Sequence, residues 1–83
     1  MGLNIGIALF DGAEELDFAG PWEVLAFWSQ YWPGDDVTVF TVARADRPIT
    51  SAKGLRVIPD HTWDSAPDID VLGQGKLETI LKK

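Results

Sequence analysis

The sequence contains no cysteine, a single methionine and a single histidine. The first absence removes disulfides, thiolate metal sites and thiol nucleophiles together. Basic residues are also scarce, with seven Lys and Arg against thirteen Asp and Glu, a net charge of −6. A nucleic-acid binder normally carries a basic stripe, and none is visible, so neither nucleic acid nor an anionic membrane surface is an expected partner. No apolar run approaches the ~20 residues that span a bilayer. Met1-Gly2-Leu3-Asn4 lacks the basic start of a signal peptide, and Gly6 stands where a myristoylation signal needs Ser or Thr. The expected location is the cytoplasm.

The 83 residues suit one small domain, spanning 1–83. Apolar residues make up 46%, including four Trp, which is more aromatic surface than so short a chain buries easily. Leu3 to Phe10 is a nearly continuous apolar run ending at Asp11-Gly12, the pattern of a strand buried on both faces. Ala19 to Trp32 reads as a helix, with Gly20 as N-cap, Pro21 at the first helical position, Glu23 in the first turn and Pro33-Gly34 as the stop. Its apolar residues surround the axis, so it is expected to pack on two sides. Asp36 to Ala43 reads as a second strand, completing a βαβ unit with parallel strands. Pro48 to Ser51 and Leu55 to Ile58 form a predicted hairpin with Gly54 in its turn. Thr62 to Ala66 reads as a helical turn, Asp70 to Leu72 as a third parallel strand and Lys76 to Lys83 as a weakly amphipathic helix, with Gly73-Gln74-Gly75 breaking the strand.

Chemistry-bearing residues concentrate at one place. Asp11, Glu14, Glu15 and Asp17 follow the first strand, beyond the end at which open α/β sheets bind ligands. A partly desolvated Asp17 there has the means to move protons, and the alternative is an acid leading into a helix. The four carboxylates also have the oxygen chemistry of a Ca²⁺ or Mg²⁺ site, but no EF-hand spacing is present and a solvated loop is the preferred reading. His61 with Asp60 and Asp64 is read as surface structure rather than a metal or acid–base site. Ser29, Ser51 and Ser65 lack a G-x-S-x-G context. Gly73-Gln74-Gly75-Lys76 fails as a phosphate loop, since Asp70 and Leu77 occupy positions needing Gly and Ser or Thr. No cofactor or metal is expected. Trp22, Leu25, Phe27, Trp28, Tyr31 and Trp32 are read as core packing plus a subunit interface, ahead of a flat-ligand surface.

The series "IALFDGAEELDFAGPWEVL", "VTVFTVA", "PITSAKGLRVIPD" and "APDIDVL" resembles the N-terminal half of the ThiJ/PfpI superfamily. The nearest branch holds isonitrile hydratases and the sensor domains of AraC-type regulators. The resemblance covers residues 1–72, leaving 73–83 as a divergent tail. It implies a flavodoxin-like, doubly wound α/β fold related to class I glutamine amidotransferases, truncated here to parallel strands with a βαβ unit and a hairpin. It places Asp17 at the family's carboxylate position. The family's cysteine on its nucleophile elbow has no counterpart in this sequence. The expectation is therefore a non-catalytic, oligomerising module, a homodimer or larger assembly that is open to domain swapping and to a small-molecule ligand. The alternatives are part of an isonitrile-hydratase-like or deglycase-like enzyme with Asp17 as acid–base residue, or the ligand-sensing remnant of an AraC-type regulator.

Overall fold

A computed structural model describes residues 2–73. The predicted helix over Lys76 to Lys83 and Gln74-Gly75 of the predicted strand break lie outside that range, while Gly73, expected to break the third parallel strand, is its last residue and pairs with Ile7. Strand β1 (Leu3–Ala8) is followed by helix α1 (Glu15–Tyr31), a 3₁₀ turn (Pro33–Asp35) and β2 (Val37–Ala43). Then come β3 (Ile49–Thr50), β4 (Arg56–Val57), β5 (His61–Thr62) and β6 (Val71–Gly73). The main sheet runs β5-β2-β1-β6 and every pairing in it is parallel. Strand β1 is flanked by β2 on one side and by the later β6 on the other, the flavodoxin-type order. The predicted βαβ unit, the third parallel strand and the hairpin are all present. Strands β3 and β4 pair antiparallel, and Gly54 turns between them at φ +98°, a conformation that favours glycine.

Two elements differ from the sequence reading. Helix α1 begins at Glu15, not near Gly20, so Pro21 and Glu23 lie in its interior. Glycine followed by proline usually punctuates a helix start. Here tertiary contacts carry the helix through both. Pro21 has no N–H to give the Asp17 carbonyl four residues back, so the helix tolerates a missing bond at that point. The second difference is β5. Residues His61 and Thr62 pair with Val42 and Ala43, and the turn predicted from Thr62 follows, with the Ala66 N–H donating to the Thr62 carbonyl at 3.0 Å.

The core gathers Ile7 of β1, Leu9 just beyond its end, Ala43 of β2, Ile49 of β3, Ala13 and Phe18. Phe18 is the buried residue of α1. Gly6 faces the other way, where a Cβ would come within 3.1 Å of Ile69 and 3.3 Å of Phe40, so a side chain there would crowd the sheet. Strand β6 is fixed to the start of β1 by a reciprocal contact. The Asn4 N–H donates to the Asp70 carboxylate at 2.8 Å and the Asp70 N–H donates to the Asn4 carbonyl at 2.9 Å. No helix among the described residues is long and apolar enough to cross a membrane.

Candidate functional site

The loop from Leu9 to Glu14 leaves the C-terminal end of central strand β1, and it and the first turn of α1 each carry two carboxylates, Asp11 and Glu14 on the loop and Glu15 and Asp17 on the helix. They do not act as one group. Asp11 accepts the Thr50 N–H at 2.9 Å and faces Arg47 at 3.7 Å. Glu14 pairs with the Lys53 ammonium at 2.7 Å. Glu15 reaches furthest into the hairpin. Its Oε2 lies 2.8 Å from the Ser51 hydroxyl and accepts the Lys53 N–H at 2.9 Å, with the Leu55 N–H at 3.4 Å. Two backbone bonds complete the attachment, Gly12 N–H to the Thr50 carbonyl and Ala52 N–H to the Ala13 carbonyl, both at 2.8 Å. Three of the four acids therefore fasten the β3–β4 hairpin to the first turn of α1.

The solvated-loop reading is corrected for Glu15, which opens α1 and is half-buried in this clamp, while Glu14 stays exposed. The Glu15 Oε1 is enclosed without a partner among the described residues. Burial raises the Glu15 pKa, but the Ser51 hydroxyl and the amides of Glu15, Lys53 and Leu55 outweigh it and hold the carboxyl below its ordinary value of 4.5. The sign follows from linkage. A depressed carboxyl contributes stability that is fully present above its ordinary value and is lost as pH falls through the folded value. Acidification should thus loosen the hairpin before the sheet. Amide shifts of Ala52 and Lys53 through an acid titration should move ahead of those in β1 and β2, and Glu15→Gln should abolish that early step. Lys53 shifts the other way, raised above 10.5 by its hydrogen bond to Glu14, but this pair is exposed and contributes little.

Asp17 is the fourth acid. It occupies the third position of α1, half-buried, and its carboxylate has no hydrogen bond or ion pair among the described residues. The helix start has no side-chain cap, because Glu14 makes no capping bond, so the clamp is what holds the turn that carries Asp17. Glu15 was missed as a key residue because its partners lie 36–40 positions away in sequence.

The aromatic residues divide. Trp22, Phe27, Tyr31 and Trp32 are 44–64% exposed, with Phe27 stacked on Tyr31 at 4.4 Å. Leu25 and Trp28 are half-buried, and the Trp28 indole N–H donates to Asp35 at 2.7 Å. Trp22 also walls a groove of about 290 Å³ between α1 and β4, lined by Phe18, Ala19, Thr41, Val57 and Ile58, with Asp60 at its edge. His61 stands edge-on to Phe40 at 5.3 Å, as a packing residue.

No family model matches the chain. Over 72 residues, 87% of its length, the chain is 38% identical to isonitrile hydratase from Pseudomonas putida and covers 29% of that protein. A DJ-1 superfamily protein from Agrobacterium tumefaciens matches in structure with a TM-score of 0.56 at 30% identity, over 84% of this chain and 35% of that one. A candidate transcriptional regulator from Vibrio parahaemolyticus matches with a TM-score of 0.71 at 20% identity, over 99% of this chain and 45% of that one. The last likeness carries the fold alone. In each case the chain spans less than half of its relative.

Proposed function

We propose, on the premise that the chain carries the N-terminal part of a ThiJ/PfpI (DJ-1) superfamily domain, that it contributes Asp17 to an isonitrile-hydratase-like site and is not a catalyst by itself. The observation behind this reading is the division of the four acids: three carboxylates are engaged by the hairpin, and Asp17 is left without a partner among the described residues, in the first turn of the helix that follows the central strand. Hydrating an isonitrile forms a C–H bond and a C–O bond at the same terminal carbon, giving a formimidic acid that becomes the formamide when its O–H proton moves to nitrogen. A carboxyl group within reach of that carbon delivers the one proton and collects the other. Glu15 suits this poorly, because its hydrogen bonds favour the ionised form and hold it in place. The 83 residues hold no cysteine, so a thiol nucleophile for this chemistry comes from other residues. The test is a chimera in which residues 3–72 replace the matching segment of the Pseudomonas putida relative. It should fold and hydrate an isocyanide. A folded chimera without activity, or one indifferent to Asp17→Asn, contradicts the proposal.

A second reading, association, rests on the open face of α1. Trp22, Phe27, Tyr31 and Trp32 remain exposed, and β6 has one strand neighbour among the described residues. Such a face and edge favour a second copy, as a homodimer or a domain-swapped assembly. Sedimentation of the 83-residue chain at micromolar concentration should give a dimer or larger species; a stable folded monomer would contradict this reading. The regulator reading has less support, because that likeness is one of fold.

A further inference from the structure

The acid clamp leaves a second feature of the same sheet edge unexplained. Beyond the bond from the Leu9 N–H to the Val42 carbonyl, at 2.8 Å, the segments that follow β1 and β2 line a crevice of about 210 Å³. Its floor is apolar, with Leu9, Ala43 and Ile49 all buried. Its rim carries Arg44, Arg47 and Asp11. We propose that this crevice binds a small organic monocarboxylate with a compact apolar body.

Three observations support the assignment. Arg44 has no hydrogen bond or ion pair among the described residues, so its guanidinium is available to a ligand. Arg47 is only loosely engaged: its contact to Asp11 is 3.7 Å, too long for a hydrogen bond, between side chains that are 65% and 57% exposed. In a chain with net charge −6, two arginines sharing one crevice form a local cationic spot against the general trend. A guanidinium offers a planar fork that matches a carboxylate in two parallel hydrogen bonds.

The surroundings narrow the ligand further. Asp11 on the rim repels a second negative charge, which disfavours phosphate dianions. The buried aliphatic floor rewards an alkyl body, and 210 Å³ limits that body to a few carbons. The crevice lies at the carboxyl ends of parallel strands, the edge from which open α/β sheets present ligand groups. This site is separate from Asp17, which does not line it.

The test uses isovalerate as probe, with isovaleramide and inorganic phosphate as controls, followed by amide NMR of the 83-residue chain. Isovalerate should give saturable shifts at Leu9, Ala43 and Ile49. Arg44→Gln, which removes no contact of the fold, should weaken binding about tenfold or more, and Arg47→Gln should weaken it in the same direction. Isovaleramide should bind no better to the native chain than isovalerate binds to Arg44→Gln. The proposal is overturned if isovalerate gives no saturable shifts or if isovaleramide matches it. It is also overturned if phosphate binds more tightly or if both arginine variants leave the affinity unchanged.

Discussion

Phe18→Ala should lower the unfolding free energy by about 3–5 kcal/mol, the range for deleting a buried phenyl group and leaving a cavity. Phe18 is the buried residue of α1, and it packs into the cluster of Ile7, Leu9, Ala13, Ala43 and Ile49. The helix depends heavily on that contact. Gly20 and Pro21 stand in its interior, no side chain caps its start, and most helix stability in proteins comes from tertiary packing. Small domains have only about 5–15 kcal/mol of net stability, so losing this anchor removes a large fraction of it. Leu16→Ala is the control. Leu16 lies two residues earlier and is 81% exposed, so its truncation should change stability by less than about 0.5 kcal/mol. Urea unfolding followed by circular dichroism separates the two. Equal effects would mean that α1 presents a different face to the sheet.

Asp17→Asn should reduce isocyanide hydration by the proposed chimera about 100-fold or more, the lower bound for losing a positioned proton-transfer group. The substitution removes the titrating oxygen while leaving a side chain of the same size. Since the Asp17 carboxylate supports no hydrogen bond among the described residues, the fold should be indifferent to the change. Glu14→Gln removes one exposed ion pair and should leave turnover within about twofold. A loss of rate in both variants, with equal loss of stability, would assign Asp17 a structural role instead.

Much of this architecture was legible in the sequence because the relevant signals are local. Continuous apolar runs marked β1 and β2, Gly54 marked the hairpin turn, and Asp70-Val71-Leu72 marked the third parallel strand. The resemblance to the ThiJ/PfpI superfamily singled out Asp17 among four neighbouring acids. Long-range effects were not legible. The first turn of α1 is held by a hairpin some 40 residues later, so Gly20 and Pro21 looked like the helix start when the chain was read locally. Strand β5 is only two residues long and is defined by its pairing with Val42 and Ala43. Glu15 gave no signal of its own, because its role exists only when Ser51 and Lys53 are brought against it. The crevice beside Arg44 and Arg47 likewise arises from two strand ends that meet only in the folded chain.

The division of the four acids is the point on which the rest depends, and hydrogen exchange of the hairpin amides tests it most directly. Compared in the native chain, Glu15→Gln and Asp17→Asn should behave differently. Glu15→Gln should speed exchange at Lys53, whose N–H the Glu15 carboxylate accepts, and at Ala52 beside it. Asp17→Asn should leave both rates at their native values. Faster exchange in Asp17→Asn, or unchanged exchange in Glu15→Gln, would contradict the assignment of Glu15 to the clamp and of Asp17 to chemistry.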